Sequence, residues 1–402
     1  MQGWASVRSD APWQPASARA RALATPTVPT RGPAGPRLIL KALPPIATPD
    51  ASDILTLTVH KYGKARNPMA TPITLSGSPG SPYTRKMLAV LRYRRLPYRF
   101  LQANSPAVAD LPQPKVRLLP TFYFPDADGG LSPVTDSTPL IRRLEREHAG
   151  RSLIPADPAL AFLDELIEDY ADEWLTKAMF HYRWSYRDDI DQAARILPCW
   201  SGLSITDEAL AERGAMFSRR QIDRLYVVGS NAETARFIED SYRGFLAAFE
   251  AHLKTQPYVL GGRPGAGDFG LFGQLSQLAQ FDPTPQRVTL ELAPRVFAWT
   301  SLMEDPSGLE PAEADWIEAG APSPTLSALL AEMARGYVPV MLANADAVAR
   351  GLSEVVTEIG GRVWRQSPFP YQAKCLGWLR ESWAGLSPDD RRRAEAMLAG
   401  SG

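Results

Sequence analysis

Apolar residues keep no sustained period in this chain until about Thr71, and from there the pattern changes character twice. Residues 73–76 form a short apolar run that predicts a strand. Met87, Leu88, Val90 and Leu91 then recur along one face of residues 81–95, a helical seam. Residues 97–102 alternate and predict a second strand, whereas prolines break residues 103–115, so a helix there is short or degenerate. Residues 116–124 read as a third strand, and the turn at residues 126–130 leads to a further short one. Asp136 or Ser137 then caps a helix with Pro139 in its first turn.

Beyond Gly150 the signals are helical almost throughout. Asp157-Pro158 places an N-cap before a proline at the first helical position, opening a long helix to about Ser185. Ser230-x-x-Glu233 reads as a capping box ahead of Phe237, Tyr242, Phe245, Leu246 and Phe249. Residues 257–262 interrupt the pattern, a helix follows from residues 265–268 through Leu278, and residues 294–304 supply another. Ser323-Pro324 caps a helix reaching about Gly351, residues 355–366 predict a hairpin around Gly360-Gly361, and Ser387-Pro388 caps a final helix. The aromatics Trp364, Phe369, Tyr371, Trp378 and Trp383 imply that this last part packs onto the bundle.

At 402 residues the chain exceeds what one core usually organises. Formal net charge is zero, which gives no electrostatic footprint for nucleic acid or an acidic membrane surface. No apolar run is expected to reach the length of a membrane span. The two cysteines, Cys199 and Cys375, are far apart, and the four histidines have no paired ligand spacing. A disulfide scaffold and a zinc site are thereby disfavoured, and a reducing compartment fits. His181, in an aromatic run, reads as a packed helix histidine, and Arg391-Arg392-Arg393 as the solvated face of a terminal helix.

Residues 1–68 are rich in Ala, Pro, Arg and Ser and carry nine Arg or Lys against three Asp. Such a segment cannot bury enough apolar area to offset its ordering entropy, so disorder is the expectation. Its composition resembles an organelle transit peptide. The other reading is an over-extended start, with Met69 beginning the product immediately before the first strand.

Three separated pieces bear on chemistry. They are Ser76-Gly77-Ser78-Pro79-Gly80-Ser81-Pro82-Tyr83-Thr84-Arg85-Lys86, then Leu118-Leu119-Pro120-Thr121-Phe122-Tyr123-Phe124, then Asp136-Ser137-Thr138-Pro139-Leu140-Ile141. In order and spacing they resemble the thioredoxin-like half of a cytosolic glutathione transferase. The resemblance covers residues 70–305. It implies an α/β thioredoxin-like glutathione-binding domain over residues 70–150 and an all-α helical bundle over 155–305. A mostly helical C-terminal extension over 306–402 then exceeds that architecture, and residues 1–69 precede it. Gly265-Ala266-Gly267-Asp268 resembles the bundle's buried Ser/Thr-x-x-Asp cap, with glycine in place of the hydroxyl residue, and is assigned to folding.

The resemblance also implies site residues. A free thiol has a pKa near 8.5, and a hydroxyl donor with a helix N-terminus favours its anion. Ser81 stands four residues before Arg85, the spacing of the activating serine in serine-type transferases, with Ser78 as second choice. Ser81 also fits a plain N-cap, and one geometry serves both roles. With no cysteine in Ser81-Pro82-Tyr83-Thr84, disulfide exchange is disfavoured. Leu119-Pro120 resembles the family's apolar residue before a cis proline, which pairs with the cysteinyl unit of glutathione. Asp136-Ser137 resembles its acidic-Ser pair, which holds the γ-glutamyl end, with aspartate in place of the commoner glutamate. Trp174, Phe180, Tyr182 and Trp184 are either core or the wall of an apolar cosubstrate pocket.

The implied activity is addition of the glutathione thiolate to a small electrophile by a cytoplasmic detoxification enzyme. Glutathione is the cosubstrate, no cofactor is permanently bound, and a homodimer is expected. A non-catalytic scaffold of the same fold, as in metaxin-like proteins, is the alternative. A dehalogenase or isomerase on this fold is a third.

Overall fold

The computed structural model describes residues 71–401; the readings of residues 1–69 as a disordered, transit-like or over-extended segment lie outside the described residues. The chain enters through β1 (Ile73–Gly77), α1 (Pro82–Tyr93), β2 (Tyr98–Gln102), the single turn α2 (Pro106–Ala109), β3 (Thr121–Pro125), β4 (Leu131–Val134) and α3 (Ser137–Glu147). The sheet order is β2-β1-β3-β4, with β1 parallel to β2 and the other two pairings antiparallel. This is a thioredoxin-like domain. Leu75 and Phe122 are fully buried beneath Met87, Val90, Leu91, Leu140, Ile141 and Leu144, so the apolar seams of α1 and α3 cover the sheet.

The third strand is shorter than expected: residues 116–120 are irregular and pairing starts at Thr121. Pro120 has no N–H to give a ladder, and the Leu118 carbonyl instead accepts from the Thr121 hydroxyl at 3.0 Å. The Leu119–Pro120 peptide is cis.

A helical bundle follows. The long helix runs as α4 (Pro158–Tyr170), a π-helical stretch (Ala171–Leu175) and α5 (Thr176–Ser185), opened by the Asp157 side chain, which accepts from the Ala159 and Leu160 amides. Then come α6 (Arg187–Ile196), α7 (Asp207–Ile222), α8 (Ala235–His252), α9 (Ala266–Leu278), α10 (Pro283–Leu292) and α11 (Pro294–Leu302). The predicted capping box at Ser230 is not formed. The Ser230 hydroxyl faces His181 Nδ1 at 2.8 Å, and Asn231 Oδ1 accepts from the Glu233 and Thr234 amides instead. His181 is packed as expected, its other ring nitrogen 3.2 Å from Glu239. Trp174, Tyr182 and Trp184 are buried in the core.

Every residue of α9 is buried, which suits a helix enclosed on all sides. Close approach makes this possible. A Cβ at Gly273 would lie 2.8 Å from the Pro82 carbonyl oxygen on α1, and one at Gly267 would lie 2.7 Å from the Ile167 side chain on α4. Asp268 caps the start of α9, accepting from the Gly265 and Val259 amides at 3.0 Å each, while Asp164 accepts from Ala266 and Gly267.

The extension comprises α12 (Pro324–Ala349), the hairpin β5 (Val355–Ile359) and β6 (Arg362–Gln366), α13 (Pro370–Gly385) and α14 (Pro388–Met397). Trp364 is buried against Trp174 and Phe237, and Trp383 packs on Phe162, so the extension shares the bundle's core. The Arg391–Arg393 reading is partly revised: Arg393 pairs with Asp157, and Arg391 donates to the Trp383 and Ala384 carbonyls. By length and mean composition α12 is long and apolar enough to cross a membrane, although Glu332, Arg335 and Asp346 interrupt it, and 44% of its most apolar window is buried here.

Candidate functional site

Three loops meet at one edge of the sheet. The antiparallel register sets Ser76 opposite Thr121, so the end of β1 and the loop after it adjoin the residues before β3. Phe122 pairs with Val134, and continuing that register by two residues sets Pro120 beside Asp136, where α3 begins. The sheet therefore brings together all three pieces that the sequence singles out.

Ser81 is the N-cap of α1. Its hydroxyl oxygen accepts from the Thr84 amide at 3.2 Å and its proton is directed to the Leu119 carbonyl at 3.4 Å. Both expected roles thus coincide in position: a capping oxygen, and a donor at a helix N-terminus. Leu119 is exposed, and its N–H has no hydrogen-bond partner among the described residues. Ser78 contributes main chain to the turn, its carbonyl accepting from the Ser81 amide at 3.0 Å and its amide donating to Thr84 Oγ1 at 3.3 Å.

Asp136 occupies the cap position of α3 with φ of +86°, an unusual value for a residue with a Cβ. Its carboxylate does not cap the helix. It accepts instead from the hydroxyl of Tyr371 on α13, at 2.7 Å. Ser137 is buried, and its hydroxyl lies 3.2 Å from the Lys86 ammonium and 3.5 Å from Asp172 Oδ2. The amides of Ser137 and Thr138 have no hydrogen-bond partner among the described residues, and Pro139 has none to give. Two N–H groups at a helix start can receive a carboxylate.

Beneath this edge lies a buried charge cluster that sequence reading missed. Lys86 donates to Glu168 at 2.7 Å and to Asp172 at 2.5 Å, with Ser137 as third partner. Burial opposes its charge, yet Asp172 and Glu168 together hold its pKa above the ordinary lysine value. Burial raises Asp172 to about 6 in spite of Lys86, while Lys86 and Arg142 overcome burial to hold Glu168 low. Nearby, burial raises Glu173 to about 8 and Asp169 to about 7. The lysine stands on the seam side of α1 where periodicity calls for an apolar residue, and that is the one signal the sequence offered.

The loop before Ser81 is held from the bundle. Arg183 on α5 donates to the Gly80 carbonyl at 3.1 Å and pairs in bidentate fashion with buried Asp282, at 2.8 and 2.9 Å. Gln277 on α9 donates to the Pro79 carbonyl at 3.1 Å. Leu197 and Trp200 press on Gly80, where a Cβ would meet them at 2.6 and 2.7 Å. Nothing in the linear sequence signals these partners. Among the described residues no His, Cys, Asp and Glu cluster has metal-binding geometry.

Residues 75–152 match the model of the glutathione S-transferase N-terminal domain, and residues 208–300 that of the C-terminal domain. No curated protein matches the sequence. Among solved structures, a glutathione S-transferase of Methylobacterium radiotolerans in complex with glutathione sulfonate shows 19% identity and a TM-score of 0.32, covering 60% of this chain and 98% of that one. A glutathione transferase family member of Pseudomonas fluorescens with two glutathione bound shows 16% identity and a TM-score of 0.37, with 62% and 94% covered. The theta class glutathione S-transferase of Xanthomonas axonopodis pv. citri, with glutathione bound, shows 20% identity and a TM-score of 0.32, with 57% and 96% covered.

Proposed function

Because this chain belongs to the glutathione S-transferase family, we propose that it binds glutathione at the sheet edge and adds the thiolate to a small electrophile. The observation that carries the reading is the meeting of Ser81 with Leu119, at 3.4 Å, beside a helix start whose first two amides have no partner among the described residues. The cysteinyl unit pairs with the exposed Leu119 backbone, whose carbonyl the Ser81 hydroxyl then leaves. That hydroxyl turns to the sulfur, and together with the N-terminus of α1 it favours the anion over the thiol. The γ-glutamyl carboxylate takes the Ser137 and Thr138 amides, and the Asp136 carboxylate meets the amino group. Glutathione is the only cosubstrate besides the electrophile, and the chain acts as a homodimer in the cytoplasm.

A second reading has one specific observation in its favour. The Ser137 hydroxyl is already engaged by Lys86 and Asp172, and Asp136 by Tyr371, as in a scaffold that kept the fold without the chemistry. One experiment separates the two. The enzyme is retained on immobilised glutathione, released by free glutathione, and accelerates thiol addition to a model electrophile over the uncatalysed rate. A scaffold shows no acceleration.

A further inference from the structure

The segment beyond residue 305 exceeds the matched family domains, yet one of its side chains reaches the sheet edge. Tyr371, in the first turn of α13, donates to Asp136 Oδ2 at 2.7 Å across 235 residues of sequence. The contact is built from both sides. Buried Asn344 on α12 clamps the Phe369 backbone twice, donating to its carbonyl at 2.9 Å and accepting from its amide at 2.8 Å. Buried Gln372 donates to the Glu173 carbonyl at 3.0 Å, and Cys375, one turn on, is buried beside the Glu173 carboxylate at 3.8 Å. The start of α13 is therefore fixed on its two flanks, and the phenol between them has a set position.

The receiving side is equally particular. Asp136 holds a positive φ, so its backbone cannot relax freely, and its carboxylate has turned away from the amides it would cap. A carboxylate offers about four lone-pair sites. Tyr371 uses one, on Oδ2, and Oδ1 has no partner among the described residues and is not sealed by them.

Resting on the glutathione reading above, we propose that Tyr371 is a positioning residue contributed by the C-terminal extension, which holds Asp136 so that its second oxygen selects the amino group of the γ-glutamyl unit. Aspartate is one methylene shorter than glutamate, and a fixed phenol replaces reach with orientation. A carboxylate held in place loses little freedom when an ammonium arrives, so the pair binds more tightly than a free side chain does. The extension thereby makes amino-group recognition a property of the single chain.

The test compares two probes on the full chain by calorimetry: glutathione, and glutaryl-cysteinyl-glycine, the same tripeptide with hydrogen in place of the α-amino group. The unaltered protein prefers glutathione by about tenfold, the size of one charge-assisted hydrogen bond. Tyr371→Phe lowers that preference to about two- to threefold, while affinity for the des-amino peptide stays within about twofold. Asp136→Asn, which keeps the acceptor for Tyr371 and all the packing, removes the preference, and adding Tyr371→Phe to it changes nothing more. An unchanged preference in Tyr371→Phe overturns the proposal, as does tighter glutathione binding, which would make the phenol a competitor. If the unaltered chain binds both peptides equally, the proposal alone fails. If it binds neither, the glutathione reading falls with it.

Discussion

The ammonium of Lys86, on the first helix of the thioredoxin-like domain, lies 2.7 Å from Glu168 on the long helix of the bundle, both side chains almost wholly buried. The pair ties the two domains together directly beneath Ser137. Its carboxylate partners were taken out of water to meet a charge, and neither can tolerate losing it.

Lys86→Met is therefore expected to destabilise the protein by about 3–5 kcal/mol, because Asp172 is left buried without a cation and Glu168 keeps only Arg142, 3.5 Å from its other oxygen. The thermal midpoint should fall by roughly 10 °C, at about 2–4 °C per kcal/mol for a domain of this size. A shift under about 2 °C would mean that water already reaches the pair.

Ser81→Ala is expected to slow thiol addition by roughly ten- to a hundredfold while leaving glutathione affinity nearly unchanged. One hydrogen bond to a charged group contributes about 1.5–3 kcal/mol, so the bound thiol becomes harder to ionise and the pH–rate profile moves upward. The same hydroxyl caps α1, so the midpoint should also drop by the equivalent of about 1 kcal/mol. Ser78→Ala, whose residue offers main chain to the turn, is the control. If the control loses turnover and Ser81→Ala does not, the donor is Ser78.

Two glycines should respond in opposite senses to alanine. At Gly273 the added methyl meets the Pro82 carbonyl oxygen at 2.8 Å, and rigid backbone must move, at a cost of about 1–3 kcal/mol. At Gly377, inside α13, nothing lies within 4 Å, and alanine stabilises the helix by about 0.5–1 kcal/mol. Denaturant midpoints of the two variants give the signs directly.

The pH dependence should run against the usual direction. Burial raises Asp169 and Asp268 to about 7 and Glu173 to about 8, above their ordinary 3.8, 3.8 and 4.5. These groups bind more protons folded than unfolded across that range. Their contribution is complete below the unfolded values and is lost as pH rises through 7 and 8. Lys177, lowered by burial to about 8, acts in the opposite sense only above that pH. Burial also holds His181 and His252 below the ordinary 6.5, which opposes the fall at lower pH, so the thermal midpoint should fall from about pH 6.5 to pH 8, and Glu173→Gln should flatten the slope. A midpoint rising over that interval would show that the cluster is hydrated.

Whatever depends on near neighbours along the chain is legible in the sequence alone. The seam of α1, the proline-broken α2, the Asp157-Pro158 and Ser323-Pro324 caps and the Gly360-Gly361 hairpin all follow from local periodicity and capping chemistry, and each formed. The order of the three loop pieces is likewise visible, since a thioredoxin-like sheet sets its strands in one sequence only. Local signals fail where a tertiary partner offers more. Ser230 leaves its capping box for His181, and Asp136 leaves its helix for Tyr371. Lys86 breaks an apolar seam because two carboxylates wait 82 and 86 residues away. Arg183 reaches Gly80, and Asn344 sets Tyr371, across separations that no window of sequence spans. A side-chain polar group buried without a partner costs more than any local preference repays, so its partner is chosen by the folded molecule as a whole.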